Sequence, residues 1–191
     1  MEGTEAKGSV WATRFIGLTF ILGGVAWLVL MVLLIGNVLA GMTPPNYALG
    51  PASSRIVAGG GAGTWFVMGL LSFLLTGIVG LGMSALFYQY LETSLRAPIA
   101  GWRTIASWVH LLVGGIGAAA ASLLMTYGGY TAGIAALDTD YGGWEQGTFW
   151  IHTNVLGPLV LPIAALMGLA LLGYLVGGIG IVTAWWASRS T

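Results

Sequence analysis

The chain has 191 residues, 6% of them charged and 57% hydrophobic, with six basic against six acidic side chains, no cysteine and a mean hydropathy of +0.90. Polar groups cannot cover a surface of that composition, so lipid rather than water surrounds most of the polypeptide. Zero net charge leaves no electrostatic case for nucleic acid, and the missing cysteines exclude disulfides, zinc–thiolate sites and iron–sulfur clusters held by the chain's own thiolates.

The opening stretch Met1-Glu2-Gly3-Thr4-Glu5-Ala6-Lys7 is mixed in charge. The apolar run after it is far longer than the ~7–15-residue core of a signal peptide, and it reads as a retained first helix. Four apolar stretches, 15–39, 64–90, 102–127 and 161–186, can each cross a bilayer, since about 20 residues rising ~1.5 Å apiece span a ~30 Å hydrocarbon core. The fold expected is a single all-α domain, an integral membrane four-helix bundle.

The connections differ in kind. Residues 41–63, with Pro44-Pro45, Pro51 and the run Gly59-Gly60-Gly61-Ala62-Gly63, suggest a non-regular link. The glycine run lacks the Lys and following Ser or Thr of a phosphate loop, so it is a linker. Residues 91–101 make a short loop ended by Ala97-Pro98, and 128–149 a loop rich in Gly, Tyr and Asp. The uncharged run from Phe149 to Ser188 is too long for one crossing. Residues 149–160, with Gly157-Pro158 ahead of Pro162, are then an outer extension or a kinked start of the last helix, and 128–160 is expected to build an extended segment at the outer face.

Basic residues orient the chain. Lys7 and Arg14 precede the first crossing, Arg96 and Arg103 bracket the middle loop, and Arg189 follows the fourth crossing; only Arg55 falls on the other side. The positive-inside rule then puts both ends and the middle loop in the cytoplasm. Trp102 and Trp185-Trp186 fit anchors at that face, and Trp65, Tyr127 and Tyr130 anchors at the opposite one.

Helices in lipid associate through small residues and interhelical hydrogen bonds. The second crossing carries Ser72, Thr76, Gly80 and Ser84 at four-residue spacing. The third carries Ala106, His110, Gly114, Ala118, Ser122 and Thr126, and the fourth Gly173 and Gly177, with Gly168 and Gly180 nearby. Such spacing keeps each set on one slowly winding face, a packing stripe within the chain or against another subunit.

His110 lies on one of these stripes. Burying an ionisable group in a membrane costs several kcal/mol unless it is paired, so His110 is the candidate cofactor-binding residue. It could ligate a haem iron, hydrogen-bond a quinone carbonyl, or hydrogen-bond a Ser or Thr of the second crossing. His152, the other histidine, falls at the outer face, on the order of 30 Å away along the axis, which disfavours one haem bridging the two. Asp138, Asp140, Glu145 and His152 supply donors suited to a divalent metal, but in no recognised ligand pattern; solvated loop carboxylates explain them better. Tyr88, Tyr90, Glu92, Arg96 and Arg103 form a polar ring explained by interfacial snorkelling, which a quinone headgroup or partner subunit could also use. No nucleophile–base pair and no mid-depth carboxylate of a proton-coupled carrier is visible, which weighs against a transporter or channel. Asn37 is the lone amide of the first crossing.

The stretch Gly80-Leu81-Gly82-Met83-Ser84-Ala85-Leu86-Phe87-Tyr88-Gln89-Tyr90-Leu91-Glu92, followed by Trp108-Val109-His110-Leu111 and Tyr127-Gly128-Gly129-Tyr130, resembles small four-helix membrane proteins related to haem–copper oxidase subunit I or accompanying terminal oxidases. The likeness covers the middle third of the chain. A genuine subunit I has many more crossings and a histidine set for two haems and a copper, which this chain lacks. The resemblance therefore implies an accessory subunit, partnered by other membrane subunits and lipid, with any haem or quinone bound jointly with a partner.

Overall fold

The computed structural model describes residues 8–42, 53–58, 60–97 and 99–189. Lys7, Pro44, Pro45, Pro51, Gly59 and Pro98 lie outside the described residues. Every regular element among the described residues is helical. Helix α1 is Val10–Met42, α2 the short Ser53–Ala58, α3 Gly61–Ser94, α4 Trp102–Ala136 and α5 Thr148–Ala187. All but α2 are long and apolar enough to cross a membrane, the complement of a multi-pass membrane protein.

Glycine is a poor helix former in water, yet pairs such as Gly114-Gly115 and Gly177-Gly178 sit inside these helices. In hydrocarbon the backbone has no solvent to bond, so leaving the helix costs more than glycine's lost propensity. Two expectations are corrected, those for 128–149 and 41–63, and of the two alternatives for 149–160 the structure holds the start of the last helix. The stretch 128–149 is not one loop: α4 continues to Ala136 and α5 begins at Thr148, leaving only 137–147 as the link. The segment before the last crossing is part of one continuous 40-residue helix that passes through Pro162. The connection 41–63 contains a regular element, α2, whose Ile56 is fully buried.

Three of the long helices contain widened π turns: Phe73–Val79 and Tyr90–Ser94 in α3, His110–Ile116 in α4, and His152–Leu156 in α5. Such turns redirect side chains and leave carbonyls out of line with their usual amides. One such carbonyl, that of Thr76, accepts from the Tyr174 hydroxyl at 2.9 Å.

The chain divides into two compact units. The first comprises Met1–Gly23, Leu75–Ala118 and Gly168–Thr191, with a core of Trp11, Phe15, Leu81, Ala85, Tyr88 and Leu111. Ser9 caps α1 here, its Oγ accepting from the Ala12 N–H at 2.9 Å. The Glu92 carboxylate completes the cap from α3, accepting from the Ser9 hydroxyl and from the Trp11 N–H at 3.2 Å. A carboxylate there also complements the positive end of the helix dipole. Arg14 lies over the rings of Trp11 and Trp108, at 4.5 and 4.7 Å. The end of α3 is closed by Ala97 N–H donating to the Leu91 carbonyl at 2.9 Å, with Arg96 in the left-handed region at φ 51°.

The second unit comprises Gly24–Leu74 and Ala119–Met167, with a small-residue core of Ala62, Ala132, Ala135, Ile151 and Leu156. Backbones come close through glycine: a Cβ on Gly129 would lie 2.6 Å from the Trp65 carbonyl carbon, and one on Gly133 would collide with Ile56. Asn37 joins α1 to α2, donating to the Ser53 hydroxyl and accepting from the Ser54 N–H at 3.1 Å. The link 137–147 folds back over the end of α4. There the N–H groups of Trp144, Glu145 and Gln146 donate to the carbonyls of Ile134, Leu137 and Ala135, satisfying acceptors that a helix end leaves open.

Candidate functional site

Within the first unit, the widened turn that starts at His110 brings its imidazole against α3. Ser84 Oγ lies 3.2 Å from Nε2, and the Tyr88 hydroxyl 3.4 Å from Nδ1. Ser84 and Tyr88 are four residues apart, so one face of α3 presents both hydroxyls. The ring is walled by Phe15, centroid to centroid 4.9 Å, and by Tyr174, 5.4 Å. Gly177 closes the box, since a Cβ there would fall on the imidazole. Only 4% of His110 is exposed.

The hydrogen-bond directions follow from counting protons. Ser84 Oγ donates to the Gly80 carbonyl at 2.8 Å, which uses its only proton. His110 must then donate from Nε2 to Ser84, and with an uncharged ring Nδ1 accepts from Tyr88. The chain Tyr88–His110–Ser84–Gly80 links α3 to α4, with the Tyr88 hydroxyl also bonded to the Ser107 side chain, and a polar network of this kind fixes the register of the helices that carry it.

That geometry tests the cofactor expectations. A haem iron needs an imidazole nitrogen ~2 Å away with open space beyond it. Both nitrogens face hydroxyls, and the ring faces are covered by Phe15, Tyr174 and Gly177. A quinone carbonyl would need the Nε2 proton that Ser84 takes. As arranged, His110 fits neither; of the three roles expected for it, the structure holds the hydrogen bond to a serine of α3.

The other candidate residues divide as follows. Gly114 and Gly173 meet directly, a Cβ on Gly173 lying 2.6 Å from Gly114 Cα, and one on Gly180 would lie 3.2 Å from Ala106 Cβ. Ala118 is buried, and so is Ser122, whose hydroxyl has no hydrogen-bond partner among the described residues. Gly80 and Thr76 act through their carbonyls, as acceptors for Ser84 and Tyr174. Ser72, in the second unit, is half-buried. Gly168 meets nothing within 4 Å and belongs to no close approach. Asp138 accepts from the Asp140 N–H at 2.9 Å, capping the short turn Thr139–Tyr141. His152 is exposed on α5, and among the described residues no three His, Cys, Asp or Glu side chains gather as a metal site.

Sequence spacing did not reveal Phe15, Tyr174 or the cap formed by Ser9 and Glu92. Tyr174 stands beside Gly173 on the small-residue stripe of α5, and Ser9 just before the first apolar run is a recognised helix-start signal, so both left traces. No family model, no curated protein and no solved structure matches this chain.

Proposed function

We propose that this chain is a non-catalytic integral-membrane subunit of a larger assembly, a four-helix bundle with both ends on the cytoplasmic side. The observation that carries this reading is the setting of His110: the one buried histidine lies with both nitrogens against hydroxyls of a neighbouring helix. Several charged side chains serve capping or packing in the same way. Glu92 caps α1, Asp138 caps a turn, Arg14 covers two indoles and Arg103 donates to the Thr183 carbonyl at 3.1 Å.

The orientation is supported by the distribution of charge. Arg14 near the start of α1, Arg96 and Arg103 around the link between α3 and α4, and Arg189 after α5 outnumber Arg55, the one described basic residue of the other connections. Exposed Leu169, Leu172 and Leu175 on α5 offer an apolar face for lipid or a partner's helix. That the assembly is respiratory, a terminal oxidase, rests on the resemblance of 80–92, 108–111 and 127–130 alone.

Purifying the tagged chain from gently solubilised membranes tests both levels. Co-migrating membrane subunits that bear haem are expected. Partners without haem would remove the oxidase assignment, and a chain that migrates alone would remove the subunit assignment.

A further inference from the structure

The second unit contains a cleft of about 510 Å³, within the ~300–1,000 Å³ usual for ligand sites. Leu28, Val32 and Gly36 line it from one face of α1, at four-residue steps that run about 12 Å along the helix. Leu123, Phe66 and Tyr130 line it from α3 and α4. Its walls are mainly apolar, with Ser53, Thr126, Tyr127 and Tyr130 the hydroxyl-bearing residues of the lining. One end differs. There Gly36 neighbours the Asn37–Ser53 pair, and Tyr130, a half-buried residue, makes no hydrogen bond through its hydroxyl among the described residues. A tyrosine at a membrane boundary keeps its ring in the apolar region and its hydroxyl free to meet an acceptor at the boundary.

We propose that this cleft holds an acyl chain of an ester-linked membrane lipid, with the ester carbonyl accepting from the Tyr130 hydroxyl and the tail lying along Leu28 and Val32. The walls lie on helices long and apolar enough to cross a membrane, so hydrocarbon chains are the molecules at its mouth. The Tyr130 hydroxyl, with Ser53 and Tyr127 also lining the slot, is a donor that can meet one carbonyl at the head of one tail. A flat quinone head fits less well: the Phe66 and Tyr130 rings meet at 48°, centroids 5.9 Å apart, and give it no parallel pair to lie between.

The test reconstitutes the full chain in phosphatidylcholine vesicles doped with a phosphatidylcholine that carries a diazirine in its acyl chain. Adducts formed on irradiation are mapped by mass spectrometry. Adducts on 28–36 and 123–130 are expected to exceed those on exposed Leu169, Leu172 and Leu175. Gly36→Leu starts its side chain in open space and fills the cleft, and should lower cleft labelling about tenfold while leaving α5 labelling unchanged. Gly24→Leu, equally open but outside the cleft, should change neither. Tyr130→Phe keeps the ring, removes one neutral hydrogen bond and should lower cleft labelling about fivefold; it decides the matter if Gly36→Leu fails to fold. Cleft labelling no stronger than that of α5, labelling that survives either variant in a folded protein, or displacement of the lipid by an equimolar isoprenoid quinone would overturn the proposal.

Discussion

Ser84 and His110, 26 positions apart in sequence, stand 3.2 Å apart from Oγ to Nε2 and tie α3 to α4. The serine's own proton goes to the Gly80 carbonyl, so the histidine is the donor and the contact has a direction. Removing the serine hydroxyl strands a buried N–H, at a cost of about 1–3 kcal/mol. Ser84→Ala and His110→Ala should each lower the apparent melting temperature in detergent. The double variant should recover a coupling of about 0.5–1.5 kcal/mol, the range such bonds show in membranes. Strict additivity in the cycle would show that the contact does not form.

Neighbouring glycines on α5 give a sharp contrast. A methyl group at Gly177 lands on the imidazole, whereas one at Gly178 meets nothing within 4 Å. Gly177→Ala should destabilise by about 1–3 kcal/mol through overpacking, and Gly178→Ala should be neutral or slightly stabilising. Equal melting temperatures for the two variants would show that α5 does not pack on His110.

The cap on α1 is borrowed from α3. Glu92 accepts from both the Ser9 hydroxyl and the Trp11 N–H. Glu92→Gln keeps one acceptor oxygen and loses the charge that complements the helix start, so a loss of about 1–2 kcal/mol is expected, with Glu92→Ala losing more. Thermal unfolding followed by tryptophan fluorescence measures both, since Trp11 sits beside the cap.

Arg96 occupies a left-handed position that glycine takes at little cost, and its neighbour's N–H closes the end of α3. Arg96→Gly should raise stability by about 1 kcal/mol. A lower melting temperature would mean that the guanidinium makes a contribution larger than the backbone strain it imposes.

Much of the helical content was legible because twenty or more uncharged apolar residues have few alternatives to a helix in lipid. The stripe through His110, Gly114, Gly173 and Gly177 was legible too, since four-residue spacing in each helix marks one face. Which faces meet was not. Phe15 and Tyr174 enclose His110 through inter-helix register, which spacing within a single helix does not encode. The end of α4 was misread because Gly128, Gly129 and Gly133 suggest a loop by water's rules. In the fold, Gly129 and Gly133 are where Trp65, Phe66 and Ile56 approach most closely. Asp138 was weighed as a metal donor on residue type alone, while its position two residues before Asp140 makes it a turn cap.

The natural absence of cysteine makes the central claim directly measurable, because any introduced cysteine is the only one in the chain. Single cysteines at Ser94, Thr139 and Ser188 sample the end of α3, the α4–α5 link and the end of α5. With a membrane-impermeant maleimide on intact cells, Thr139→Cys should be labelled at once. Ser94→Cys and Ser188→Cys should react only after the membrane is opened. Ser94 and Ser188 reporting opposite compartments, or all three reacting in intact cells, would contradict a subunit with Arg96 and Arg189 on one side and the α4–α5 link on the other.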